Sequence, residues 1–184
     1  MSDASNHSIE RARHAYDALA AAETYAAAKD AWEDFLIHWH RGINRCDALR
    51  PRNGAHGRSY DRVTADPALA YLRAARNADE HGLAPVATLQ ESAIAIGAFG
   101  GYEPGIRTGA SGEVIYTFTP TSDDPPPFIA FVPEHLRLDA IVDRAGTFPV
   151  PPEYDYEVGE ILPAVALAQH GLDFLMSEVK NLSG

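Results

Sequence analysis

The sequence holds a single cysteine, Cys46, in 184 residues. One cysteine excludes an intrachain disulfide. No apolar run approaches the length of a membrane span, so no membrane contact is expected. Met1 to His7 has neither a basic n-region nor an apolar h-region, and no secretory signal is read there. A cytoplasmic protein is the expectation. Phosphate-cradling glycine patterns are missing as well. Gly97, Gly100 and Gly101 form a lone loop signal and match no Walker or dinucleotide pattern. Gly109-Ala110-Ser111-Gly112 lacks the spacing of a nucleophile elbow and reads as a hairpin turn. Metal-ligand spacing is poor. His38 and His40 flank Trp39, a step that puts them about 200° apart on a helix. Asp34 and His38 stand four apart, but no third ligand is indicated and there is no Glu-x-x-His of the di-iron type. No metal and no cofactor are expected.

What is present fits one soluble globular domain over residues 1–184: 46% hydrophobic and 22% charged residues, in a chain long enough to bury a proper core. The formal net charge of −11 argues against nucleic acid. Its distribution softens that objection. Between Arg41 and Arg76 eight arginines face three aspartates, a local net charge of +5. Arginine is the better residue for forked phosphate contacts. The same residues also suit a solvated, salt-bridged helix face.

Helical periodicity dominates both ends of the chain. An Ala-rich helix is expected from about Ser8 to Ala22. A stronger one follows, in which Tyr25, Ala28, Trp32, Phe35, Leu36, Trp39, Ile43, Cys46 and Leu49 recur at steps of three and four. Cys46 and both tryptophans lie on that stripe and read as core residues. Arg50 to Ala65 contains Pro51, Asn53, Gly54 and Gly57 and reads as an exposed loop. Asp66-Pro67 opens a third helix, with aspartate at the N-cap and proline at the first helical position, and Gly82 suits its end after His81. The pattern then turns to period two. Residues 92–99, 113–119, 128–132, 136–142 and 147–150 read as four or five short antiparallel strands, with a hairpin signal at Asp143-Arg144-Ala145-Gly146. A last helix is expected from about Glu157 to Leu182, weakened or kinked at Gly171. The expected fold is mainly α: a four-helix up-down bundle (8–82 and 157–182) with a small antiparallel β insertion (about 86–155) between helices 3 and 4. The strands are expected as an elaboration outside the bundle core.

The end of the third helix carries the chemistry. Arg76, Asn77 and His81 combine a guanidinium that can grip a phosphate with an imidazole that can move a proton. Such groups suffice for metal-free RNA cleavage. His81 would take the proton from a ribose 2′-hydroxyl, which then attacks the adjacent phosphorus; Arg76 would hold the phosphate oxygens; Asn77, four residues before His81, can orient it. Positions five apart differ by about 140° in azimuth, so Arg76 and His81 share a face only if the helix ends near His81 or if two subunits contribute. The plain alternative is a surface ion pair between Arg76 and Glu80, which also stand four apart.

A helical bundle bearing Arg-x4-His with a polar residue after the arginine resembles the HEPN superfamily. The phrase DPALAYLRAARNADEHG is similar to a group of uncharacterised bacterial HEPN-like proteins, and DRAGTFPVPPE resembles the end of their β section. The resemblance spans most of the chain. It implies a four-helix bundle that dimerises and joins two motifs in one cleft. It also implies a metal-independent endoribonuclease of toxin–antitoxin, phage-defence or RNA-processing type, or a relative that has lost catalysis and only binds RNA or a protein partner. On that reading Arg76, Asn77 and His81 are catalytic, and Arg45, Arg62 and Arg73 are RNA contacts. The expected partners are RNA, a second copy of the chain, and an antitoxin or other protein.

Overall fold

A computed structural model describes residues 3–50, 58–81, 87–97, 102–108, 114–120, 128–132, 134–143, 146–154 and 162–183. The chain forms two compact units, one of residues 1–90 with 134–184 and one of residues 91–133. The protein is mainly helical with small antiparallel strands.

In the larger unit, α1 (Asp3–Ala20) runs into α2 (Tyr25–Leu49). Thr24 caps α2, its Oγ1 accepting from the Ala27 N–H at 3.3 Å. The expected stripe is the buried face: Ala28, Trp32, Phe35, Leu36, Trp39, Ile43 and Cys46 are all buried, while Leu49 is exposed. A short helix follows that the sequence reading took as loop, α3 (Ser59–Ala65). Its N-terminus has no cap of its own. Asp47, on the last turn of α2, supplies one instead, accepting from the Ser59 N–H at 2.6 Å and the Tyr60 N–H at 3.3 Å. Val63 then buries against the core.

The next helix, α4 (Pro67–His81), is the one expected after Asp66-Pro67. Asp66 Oδ1 accepts from the N–H groups of Ala68 (2.9 Å) and Leu69 (3.1 Å), and Pro67 occupies the first turn, where no donor is needed. Leu69, Tyr71, Leu72, Ala75 and Ala78 face the core. The last helix, α5 (Pro163–Ser183), buries Ala164, Leu167, Ala168, Leu172 and Leu175. It is unbroken as a helix through Gly171. The glycine serves close approach: a Cβ there would lie 2.6 Å from Leu72 Cδ1 and 3.2 Å from Trp39 Nε1. The Gly171 carbonyl accepts from that indole N–H at 2.8 Å, which joins α2 to α5 through the core.

Strands β1 (Ala87–Gln90) and β6 (His135–Leu138) pair antiparallel, and β7 (Ile141–Asp143) with β8 (Gly146–Phe148) forms a hairpin at the expected Asp143–Gly146 turn. Gly146 sits at φ 143°, a conformation open to glycine. These strands are not outside the helical core, as was expected. Ala87, Leu136, Leu138 and Ile141 are buried in the same apolar cluster as the helices. The Tyr71 hydroxyl donates to the Asp139 carbonyl at 2.8 Å, tying α4 to the turn between β6 and β7. A 3₁₀ turn (Pro152–Tyr154) follows β8. The smaller unit has two ladders, β2 (Ala93–Gly97) with β5 (Phe128–Val132) and β3 (Tyr102–Thr108) with β4 (Val114–Pro120). Ile106 and Val114 are exposed there. Among the described residues there are eight strands, against the four or five expected.

Candidate functional site

The packing of α4 decides where its motif points. Tyr71, Leu72, Ala75 and Ala78 hold one face in the core, so Arg76 and Asn77 stand at the margin, half-buried. Arg76 closes on the Glu80 carboxylate one turn further along the same helix, and its Nη1 donates a long 3.4 Å bond to Asn77 Oδ1. The i,i+4 ion pair is therefore formed. His81 ends α4 by its backbone, and its side chain lies outside the described residues.

The three arginines expected to contact RNA are engaged with the protein's own side chains. Arg45 donates to the buried Ser8 Oγ at 2.5 Å, bridging α2 to α1. Arg73 stacks 3.9 Å over the Tyr60 ring and reaches Thr64 Oγ1 at 3.4 Å, both on α3. Arg62 donates to Glu178 Oε2 at 2.5 Å. These three expected RNA contacts thus turn to three different helices.

Glu178 is a feature the sequence reading missed. It lies three residues after Leu175 on the buried stripe of α5 and is fully buried. Its Oε2 accepts from Arg50 at 2.6 Å, from Arg62 and from the Ser59 hydroxyl. One carboxylate so gathers the end of α2, all of α3 and the end of α5. Glu178 Oε1 and Arg62 Nε, both buried, have no hydrogen-bond partner among the described residues. The nearby Cys46 thiol is pushed up to about 11, first by burial and then by the Glu178 charge, so it stays protonated and inert.

Two histidines outside the motif have better-described surroundings than His81. His40 on α2 is held down at about 4 by burial, then by the charges of Arg76 and Arg73, with Glu80 opposing. Its Nδ1 is buried and has no hydrogen-bond partner among the described residues. His170 on α5 meets the α4 cap: its Nε2 lies 3.0 Å from Asp66 Oδ2. An ionised carboxylate only accepts, so Nε2 carries a hydrogen in either charge state of the ring, and in the neutral form Nδ1 is the acceptor. Neither residue had a sequence signal beyond its identity, because each partner lies far away in the chain. Among the described residues no cluster of metal-ligating side chains exists and no helix is long and apolar enough to cross a membrane. No protein-family model, curated protein or solved structure matches this chain.

Proposed function

We propose that the chain is a HEPN-like four-helix up-down bundle acting as a non-catalytic module that binds a protein partner. The observation that carries this reading is the Arg76–Glu80 ion pair within one helix, since a guanidinium already closed on a carboxylate is a poor phosphate grip. The inward engagement of Arg45, Arg62 and Arg73 supports it further, as does the net charge of −11, which repels an RNA backbone and favours a basic protein surface. The test is incubation of the purified protein with mixed RNA in EDTA, beside His81→Ala. Intact RNA is the expected result. Fragments with cyclic-phosphate ends that vanish in the variant would overturn the reading.

A second reading, a metal-independent endoribonuclease working as a dimer, is favoured by one observation. The His40 imidazole lies close enough to feel the charges of Arg73 and Arg76, so an imidazole and two cations share one region. Under that reading His40→Asn and His81→Ala each lower cleavage, and Arg76→Lys lowers it too, because a point charge does not replace the fork.

A further inference from the structure

A groove of about 370 Å³ opens beside α5, within the range of small-molecule sites. Tyr16 of α1 and Tyr154 of the 3₁₀ turn supply aromatic walls, and Val165 and Ala166 supply apolar lining. Three polar side chains line it from α5, Gln169, His170 and Asp173, the last two one turn apart. His170 is held from outside the groove, and Asp173 by its lining neighbour Gln169. Asp66, fixed by capping α4, holds His170 through Nε2, and Gln169 Nε2 donates to Asp173 Oδ1 at 2.8 Å. That leaves Asp173 Oδ2 and His170 Nδ1 without a protein partner among the described residues.

The lining is charged on one side only. Among the described residues no lysine or arginine lines the groove, while Asp173 lines it and Asp66 stands behind His170. Along α1, Arg13 stands one turn before Tyr16 and reaches the Met176 sulfur at 3.0 Å, outside the lining. A carboxylate between aromatic walls suits a cation, which gains from the charge and from the ring faces together. Two acceptors one helical turn apart further suit a group with several N–H donors. We propose that this groove binds a small organic amine in its ammonium form, a primary ammonium on an apolar or aromatic stem. Asp173 takes the charge, His170 Nδ1 accepts one N–H, and Tyr16 and Tyr154 flank the stem. The proposal stands apart from the reading of α4, since it uses no residue of the Arg76–His81 motif.

The test is a two-dimensional NMR titration of the full chain with benzylammonium, beside benzoate, benzyl alcohol, benzyltrimethylammonium and an N-acetyl-lysine amide. Saturable shifts at Val165, Ala166 and His170 with benzylammonium are expected, with the benzoate and alcohol inactive. Asp173 is exposed, so Asp173→Asn should fold with an unchanged melting temperature, and its Kd should rise about fivefold, as for loss of one solvent-facing ion pair. The quaternary ammonium, lacking N–H donors, should bind more weakly than the primary one. No saturable shift at low-millimolar benzylammonium, equal binding of benzoate, or an unchanged Kd in Asp173→Asn overturns the site. Equal binding of the quaternary ammonium overturns the part given to His170. Tighter binding of the lysine amide overturns the small amine as occupant and assigns the groove to a lysine side chain.

Discussion

Replacing Glu178 by glutamine removes one charge from a place where two guanidiniums depend on it. The glutamate side chain is 0% exposed, Arg50 is 9% exposed and Arg62 34%. Removing one member of a buried ion pair costs about 3–5 kcal/mol, because the charge left behind loses the counter-charge that offset its burial. Arg62 keeps some hydration and Arg50 very little, so the lower end applies, about 3 kcal/mol. For a chain of this length each kcal/mol lowers the melting temperature by about 2–4 °C, hence a fall of roughly 6–12 °C. Trp32 and Trp39 are both buried in the helical unit, so their fluorescence in a urea titration reports this unit. Replacing all three charges with apolar groups of similar volume, Glu178→Leu with Arg50→Met and Arg62→Met, should recover much of the loss. A loss under about 1 kcal/mol in Glu178→Gln would refute the reasoning, since it would mean that the arginines find water without disturbing α3.

Acid should weaken the helical unit through His40. Its folded pKa is lowered to about 4 from the ordinary 6.5, so below pH 6.5 the unfolded chain binds a proton that the folded chain resists. Stability is therefore full above pH 6.5 and falls toward pH 4; His40→Gln should flatten that slope in urea midpoints measured across the window, and an unchanged slope argues against it. Gly171→Ala gains about 1 kcal/mol of helix propensity but presses a methyl on Leu72 and Trp39, at about 1–3 kcal/mol, so a net loss is expected in thermal melts and a gain would contradict the close packing. Cys46 should resist a thiol reagent at pH 8 in the folded protein and react fully in denaturant; rapid native labelling would contradict its burial and raised pKa.

The elements legible in the sequence are those whose signals are local. The stripe of α2 and the Asp66-Pro67 start of α4 are written within a few residues of the structure they specify. The short helix α3 was hidden because its capping carboxylate, Asp47, sits on another helix, while Asn53, Gly54 and Gly57 signalled loop. Strand β3 carries Pro104 and Gly105, residues that normally interrupt strands, and so went unread. At the candidate site, the Arg76–Glu80 pairing was visible as i,i+4 spacing. The Asp66–His170 pair was not, since it joins positions 104 residues apart, and no period links them. Glu178 left a faint trace: an acid at a spacing where Leu172 and Leu175 call for an apolar neighbour.

The β1–β6 ladder has an architectural consequence. Gln90 and His135 face each other across the two strands, so the chain leaves for the smaller unit and returns from it at nearly the same point. A folded piece whose two ends meet can be exchanged for another without stretching its host. Substituting a two-residue Asn-Gly hairpin for residues 91–134, at the cost of the Glu134 carboxylate that accepts from the Tyr25 N–H, should leave the helical unit able to fold. That ladder would then act as a grafting point, at which one helical scaffold can carry different inserted segments.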